Sequence, residues 1–274
     1  MSPSAKLAKT PAVVGPTAET VDPALPPTPG IHAGTSGWAY PTWKPGFYPP
    51  GLPAKRFLEH YASRLNSVEV NYTFRSLPSL AMLAGWLAAT PKGFRFSFKA
   101  PQRITHFSRL RDCEAAVSEF VAALEPVRAS CKLGPLLFQL PPNFKADPER
   151  LGAFLTAPAL NGPVAPLLAF EFRHESWFSE ETYAILRAHN AAMCIAESDG
   201  LQAPEVQCAS THACFRMRRD GGYTPSEIED FADKLSRLAS NLDVYVYFKH
   251  EDEPTGALNA VSFLAACAAR AGQR

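Results

Sequence analysis

The stretch FRFSFK at residues 94–99 alternates without a break: Phe94, Phe96 and Phe98 fall on one side of an extended chain, and Arg95, Ser97 and Lys99 on the other. Three rings in a row need an apolar layer to pack against. A sheet covered by helices on both faces would instead show a continuous apolar run. The same departure recurs further along. In 67–72 (SVEVNY), Val68, Val70 and Tyr72 oppose Glu69 and Asn71; in 167–172 (LLAFEF), Phe170 and Phe172 oppose Ala169, Glu171 and the following Arg173. In 213–218 (ACFRMR), Phe215 and Met217 oppose Arg216 and Arg218; in 243–248 (DVYVYF), Val244, Val246 and Phe248 oppose Tyr245, Tyr247 and the following Lys249.

Three more segments have strand length and composition: 31–36 (IHAGTS), 133–140 (LGPLLFQL) and 191–196 (AAMCIA). Helical periodicity fills the gaps. Phe57, Leu58, Tyr61 and Leu65 share a face in 53–66, as do Ile228, Phe231, Leu235 and Leu238 in 225–240. Thr224-Pro225-Ser226-Glu227 is a start signal: a capping threonine, a proline suited to the first helical position, and a glutamate to close the box. Asp147-Pro148 and Ser179 cap helices predicted at 148–157 and 180–190, and others are expected at 79–89, 113–125 and 257–270.

Eight strands with intervening helices over 31–274 predict a single α/β domain, a (β/α)₈ TIM-type barrel. The helix between strands six and seven is reduced or missing, because 197–212 lacks an amphipathic pattern. An open doubly wound sheet is the alternative. Residues 1–30 carry seven prolines and no apolar core, and read as a flexible tail.

A barrel gives the alternation its meaning, since the apolar face meets the helices and the other face points inward. The inward polar residues cluster at strand C-termini, the end where barrel enzymes keep their active sites: Asn71, Lys99, Gln139, Glu171, Arg173, Arg216, Arg218 and Lys249. Five cations, Lys99, Arg173, Arg216, Arg218 and Lys249, face only Glu69 and Glu171, an excess that favours an anionic ligand. The competing reading is an ion-pair lattice inside the barrel. After strand seven, Arg218-Arg219-Asp220-Gly221-Gly222 leads into the capped helix, and reads either as a phosphate cradle at a helix N-terminus or as a glycine turn.

Composition narrows the partners. A net charge of +1 gives no global field for nucleic acid or membrane, and no apolar run is long enough to span a bilayer. Six cysteines without a metal-type spacing read as reduced thiols of a cytoplasmic protein. His106, His174, His212 and His250 are expected near the active face, but no metal motif joins them. No motif requires a cofactor; a divalent metal is left open.

These motifs carry a resemblance. GTSGW-x-Y-x-x-W, VE-V-N-Y-T-F, TP-x-x-F-x-F-x-x-K followed by T-H, KLGPLLFQLPPNF, A-F-EFRHESW, VYVYFKHE and the final G-A-L-N-A are similar to the YecE-like family, also called domain of unknown function 72. The resemblance covers about residues 31–267. It implies a TIM barrel with a pocket at the strand C-termini, kinship with sugar isomerases and metal-dependent DNA-repair endonucleases at fold level, and no established activity. Carried onto this sequence, its motif residues are Ser36, Trp38, Trp43, Glu69, Asn71, Lys99, His106, Gln139, Glu171, Arg173, Trp177 and Arg216. The chain departs from the family pattern at Arg218-Arg219 after strand seven and at Lys249-His250 after strand eight, where it adds positive or ionisable character.

The expectation is an enzyme acting on a small anionic, phosphorylated or sugar-like substrate. Glu69 and Glu171 are the acid/base candidates, Lys99 an electrophile, base or Schiff-base amine, and Arg216 with Arg218 an anion clamp. Arg173 is expected to pair with Glu171 and keep it ionised. In the aromatic loop GTSGWAYPTWKPGFYPP (34–50), Phe47 and Tyr48 are expected to pack, while Trp38 and Trp43 line or roof the pocket. Two alternatives stand beside this reading: a nucleic-acid-binding or phosphodiester-processing protein, whose rings stack bases, and a non-catalytic ligand-binding barrel.

Overall fold

The computed structural model describes residues 30–197, 200–249 and 253–272; the expected tail, apart from Gly30, and His250 lie outside the described residues. Eight parallel strands run in the order β1-β8-β7-β6-β5-β4-β3-β2. They are β1 (Ile31–Thr35), β2 (Ser67–Val70), β3 (Arg95–Lys99), β4 (Leu133–Gln139), β5 (Leu168–Glu171), β6 (Ala192–Ala196), β7 (His212–Met217) and β8 (Asp243–Phe248). The outer helices are α1 (Phe57–Arg64), α2 (Leu80–Ala88), α3 (Glu114–Ala123), α4 (Glu125–Ala129), α5 (Pro148–Leu155), α6 (Glu180–Ala188), α7 (Pro225–Leu238) and α8 (Thr255–Ala271).

Local chemistry sets these boundaries. Ser79, Asp147 and Ser179 accept backbone N–H bonds at the starts of α2, α5 and α6, and Thr224 with Glu227 forms the full capping box of α7. The single helix expected at 113–125 is instead two, because Pro126 occupies the first turn of α4 and starts a new helix. Strand two stops at Val70, two residues early: Asn71 turns the chain into a short 3₁₀ turn at Tyr72–Phe74. Among the described residues between Ala196 and His212 there is no helix. There an irregular segment buries Ala203, Cys208 and Ala209 against the sheet.

The barrel is a TIM-type barrel, nearly closed. Backbone ladders join β1 to β8 and every neighbouring pair from β8 round to β2. At the β1/β2 seam, side chains replace the ladder. The Asn66 side-chain amide acts as a stray peptide group: its Oδ1 accepts from Ala33 N at 2.8 Å and its Nδ2 donates to Ile31 O at 2.8 Å. The Tyr61 hydroxyl accepts from Thr35 N and donates to Ser67 O. The strands meet closely here, and a Cβ on Gly34 would stand 1.8 Å from Ser67 O.

The alternation of strand three is realised as read. Phe94, Phe96 and Phe98 are fully buried outside the barrel, with Phe96 stacked 6.3 Å from Trp86 of α2. Inside, a small apolar cluster of Leu137, Ala169, Ala192, Cys194, Ala209 and Cys214 leaves room for large polar neighbours. Tyr247 uses that room, its hydroxyl bonding Ser67 at 2.8 Å and Ser97 at 2.6 Å across the interior. All six cysteines are free thiols.

Candidate functional site

The site sits above this layer, at the C-terminal ends of the strands. Arg216 on β7 is its centre and is buried. One guanidinium nitrogen bonds Glu171 Oε2 of β5, past the intervening β6. The other bonds Glu69 Oε1 of β2 at 2.7 Å and Ser36 Oγ at 3.4 Å. Both carboxylates are themselves buried. Glu171 Oε1 also accepts from Gln139 Nε2 at 2.8 Å and from Arg173 Nε.

The electrostatics follow from this wiring. Burial pushes the Glu171 carboxyl upward, but the Arg216 and Arg173 guanidinium groups and the Gln139 amide outweigh it and hold it down at about 2. Burial likewise opposes the charge on Arg216, and the two carboxylates overcome it and raise its pKa. Glu171 is therefore ionised and fully engaged, as the expected Arg173 pairing implied. It has no exposed surface and both oxygens are bonded, so in this arrangement it orients the arginines. The acid/base role expected of Glu171 and the anion-clamp role expected of Arg216 start from groups already bonded to one another: both terminal nitrogens of Arg216 serve the glutamates, and its Nε alone lacks a partner among the described residues.

What remains accessible is Lys99, at the end of β3. Thr73 fixes it there, its hydroxyl donating to Lys99 O at 2.7 Å and to Val70 O at 3.1 Å, which ties the ends of β2 and β3 together. The Lys99 ammonium lies 4.3 Å from the centroid of the Phe74 ring and has no hydrogen-bond or ion-pair partner among the described residues. Burial, then Arg216, lowers its pKa to about 8. Arg218, partly buried two residues beyond Arg216, also has no partner among the described residues; burial, then Arg216, lowers its pKa. Of the five cations counted in the sequence, Arg173 and Arg216 pair with Glu171 or Glu69, and Lys249 pairs with Asp220 outside the centre. Lys99 and Arg218 are left. Among the described residues, Glu69 Oε2 and Asn71 Oδ1 are buried acceptors without a donor, and Arg216 Nε is a buried donor without an acceptor.

Other expected residues fall elsewhere. His106 packs edge-on to Phe74 at 5.0 Å, with Nδ1 bonded to Thr105 Oγ1; burial, then Lys99, lowers its pKa. Trp43 is fully buried among Tyr40, Phe47 and Tyr48, so it is part of the loop's own core and does not line a pocket. Phe47 and Tyr48 pack as expected. Trp38 is half-buried, edge-on to Trp86 at 5.3 Å. Trp177 is also fully buried, its Nε1 donating to Phe144 O at 2.8 Å. His212 begins β7 at the opposite end of the barrel, buried against Leu168 O at 2.9 Å, and leaves the active face. At the start of α7, read from sequence as a phosphate cradle or a glycine turn, the helix end is capped from within the chain. Glu227 accepts from Thr224 N at 2.8 Å and pairs with Arg219, so the helix end carries its own anion.

Sequence reasoning passed over Phe74, although its ring stands two residues beyond a predicted strand end. It also passed over Tyr40, whose hydroxyl donates to Ser36 O at 3.0 Å and is pushed up to about 12 by burial and by Glu69. Among the described residues no group of three or more His, Cys, Asp or Glu is arranged to hold a metal ion, and no helix is long and apolar enough to cross a membrane.

The model of the family described as "Protein of unknown function DUF72" matches residues 32–274. The UPF0759 protein YunF of Bacillus subtilis is 26% identical over 268 residues, covering 85% of this chain and 93% of YunF. The UPF0759 protein YecE of Escherichia coli K12 is 34% identical over 114 residues, 42% of this chain and 39% of YecE. A crystal structure of a DUF72 family protein from Thermotoga maritima superposes with a TM-score of 0.73 at 26% identity, covering 85% of this chain and 97% of the other. A DUF72 family protein from Enterococcus faecalis gives a TM-score of 0.71 at 18% identity, covering 86% and 95%, and shares the fold.

Proposed function

The chain belongs to the DUF72 family, and from that premise we propose that it is an enzyme performing acid/base chemistry on a small anionic, sugar-like or phosphorylated substrate. Lys99 is the proton-transferring amine and Arg218 the anchor for the anion. The observation that carries this reading is the division of charge: Arg216 takes both buried carboxylates, and two partly buried cations have no partner among the described residues. A cation partly removed from water without a counterion is less stable than a paired one, so its retention at a strand C-terminus favours a ligand. An amine with a pKa near the working pH suits proton transfer.

The test is a thermal-shift panel of sugar phosphates and inorganic phosphate. At least one compound should raise the melting temperature of the wild type, and Arg218→Ala should abolish that shift. A panel without effect, or a shift that survives Arg218→Ala, would sink the reading.

One observation favours a second reading. Tyr72 and Phe107, on the loops after β2 and β3, are 47% and 73% exposed, and a cavity of about 500 Å³ beside them is lined by Phe74, Arg75, Arg103 and Phe107. Exposed rings with arginines are a stacking platform for single-stranded nucleic acid. Oligonucleotide affinity should then fall steeply with salt; a flat response excludes it.

A further inference from the structure

The protein contains an internal comparison for Lys99. Lys132 is a buried lysine, where Lys99 is partly buried, and all three of its ammonium donors are used: Leu87 O at 2.9 Å, Thr90 O at 2.7 Å and Thr90 Oγ1 at 2.9 Å. That is a structural lysine, held by neutral acceptors. Lys249, the other cation of the barrel mouth, has Asp220. Lys99 has neither arrangement. The carboxylates that could neutralise it, Glu69 and Glu171, are bonded to Arg216, and its ammonium rests against a ring face. A lysine desolvated beside other cations gives up its proton readily and becomes a nucleophile.

Resting on the reading above, we propose that Lys99 is a covalent catalyst: it forms an imine with the carbonyl group of an aldehyde or ketone that carries an anionic group held by Arg218. The neutral amine attacks the carbonyl carbon, forming the C–N bond while the C=O π pair moves to oxygen. A proton passes from nitrogen to that oxygen, giving a carbinolamine. Protonation of the hydroxyl and loss of water break the C–O bond and leave the imine. Amine and carbonyl compound give imine and water, with no oxidant or reductant.

The surroundings fit each stage. His106 shares the Phe74 ring with Lys99, and its Nδ1 is fixed by Thr105, which leaves Nε2 for proton relay. With its pKa lowered by burial and by Lys99, His106 is neutral at pH 7 and able to accept the proton that nitrogen releases. Lys99 itself, at about 8, presents a useful share of neutral amine there.

Borohydride trapping tests this on the full-length protein, with glyceraldehyde 3-phosphate as the probe and glycerol 3-phosphate, its carbonyl-free counterpart, as the control ligand. At low probe concentration near pH 7.5, intact mass should show one reduced adduct per chain, and peptide mapping should place it on Lys99. Lys99→Arg keeps the positive charge and should lose the adduct. Arg218→Ala should slow trapping by about tenfold or more, the worth of one charge-assisted contact, and glycerol 3-phosphate should compete in the wild type. Adducts scattered over surface lysines, with Lys99 no faster than the rest, overturn the proposal. If glycerol 3-phosphate then still binds in an Arg218-dependent way, the anion-binding reading stands and only imine chemistry falls. If neither compound binds, both fall.

Discussion

Replacing Arg216 by methionine removes one buried cation and leaves two buried carboxylates facing each other across the barrel. In the wild type, Glu171 titrates at about 2, against 4.5 for an ordinary glutamate. At about 1.4 kcal/mol per pH unit, its ionised form is favoured by the fold by roughly 3 kcal/mol. That stabilisation is complete above pH 4.5 and fades as the pH falls toward 2. Without Arg216, Glu171 keeps Arg173 and Gln139, but Glu69 loses its ion-pair partner. Breaking a buried ion pair from one side costs about 3–5 kcal/mol, and Arg216→Met should lose that much at pH 7. A carboxyl left buried without its cation is pushed up by burial, so the deficit should shrink as the pH is lowered from 7 toward 4.5, a range in which Glu171 of the wild type stays ionised. Urea unfolding followed by tryptophan fluorescence measures this, since Trp43 and Trp177 are fully buried. Adding Glu69→Gln to Arg216→Met should restore part of the loss. A deficit below about 1 kcal/mol at pH 7, or one that does not shrink on acidification, would refute the account of Arg216 as the counterion of both glutamates.

Two further outcomes follow from the same wiring. Lys99→Met should stabilise the protein by about 1 kcal/mol at pH 7, the burial penalty of the ammonium less its contact with Phe74. Because the folded pKa of about 8 lies below the ordinary 10.5, the penalty is complete below pH 8 and gone above 10.5, so the gain should vanish there. NMR titration of the same variant should move the His106 midpoint upward, and an unmoved midpoint would separate the two residues. At the seam, Asn66→Ala strands Ala33 N and Ile31 O. At about 1–3 kcal/mol for each orphaned group, it should cost roughly 2–6 kcal/mol and speed hydrogen exchange at Ala33; unchanged exchange would mean the strands pair without Asn66.

How much of this was legible in the sequence depends on the range of the interaction. The barrel was readable because strand alternation is local: Phe94, Phe96 and Phe98 against Ser97 and Lys99 fixes two faces whatever lies next to them. The caps of α5, α6 and α7 were readable for the same reason. Pairing of the interior charges was not, because it depends on register. Arg216 reaches Glu171 past β6 and Glu69 across the barrel, contacts 45 and 147 residues apart in the chain. A count of cations against carboxylates was available; which cations would be left over was not. At the start of α7, Thr224 and Glu227 were read correctly as a box, yet the same helix end was also offered to phosphate. A glutamate that closes its own box is the anion at that terminus. In the aromatic loop, composition could not divide Trp38 from Trp43. The division comes from Tyr48, which stacks on Phe57 of α1 and draws Trp43 into the core.

Charge balance also constrains where a ligand's two functional groups can lie. Glu69, Glu171, Arg216 and Arg173 sum to zero, two carboxylates against two guanidinium groups, so the buried network is neutral. Among the described residues, the charge without an ion-pair partner rests on Arg218 and, when protonated, on Lys99. An anion in direct contact with the Lys99 ammonium would stabilise it and raise its pKa, suppressing the neutral amine that the chemistry uses. An anion held at Arg218 neutralises a neighbour that already depresses Lys99, and leaves desolvation and Arg216 to keep the amine reactive. The productive ligand is therefore one whose anionic group and reacting carbon are separated along the molecule. A compact anion that bridges Arg218 and Lys99 should bind as an inhibitor, more tightly below pH 8 than above it.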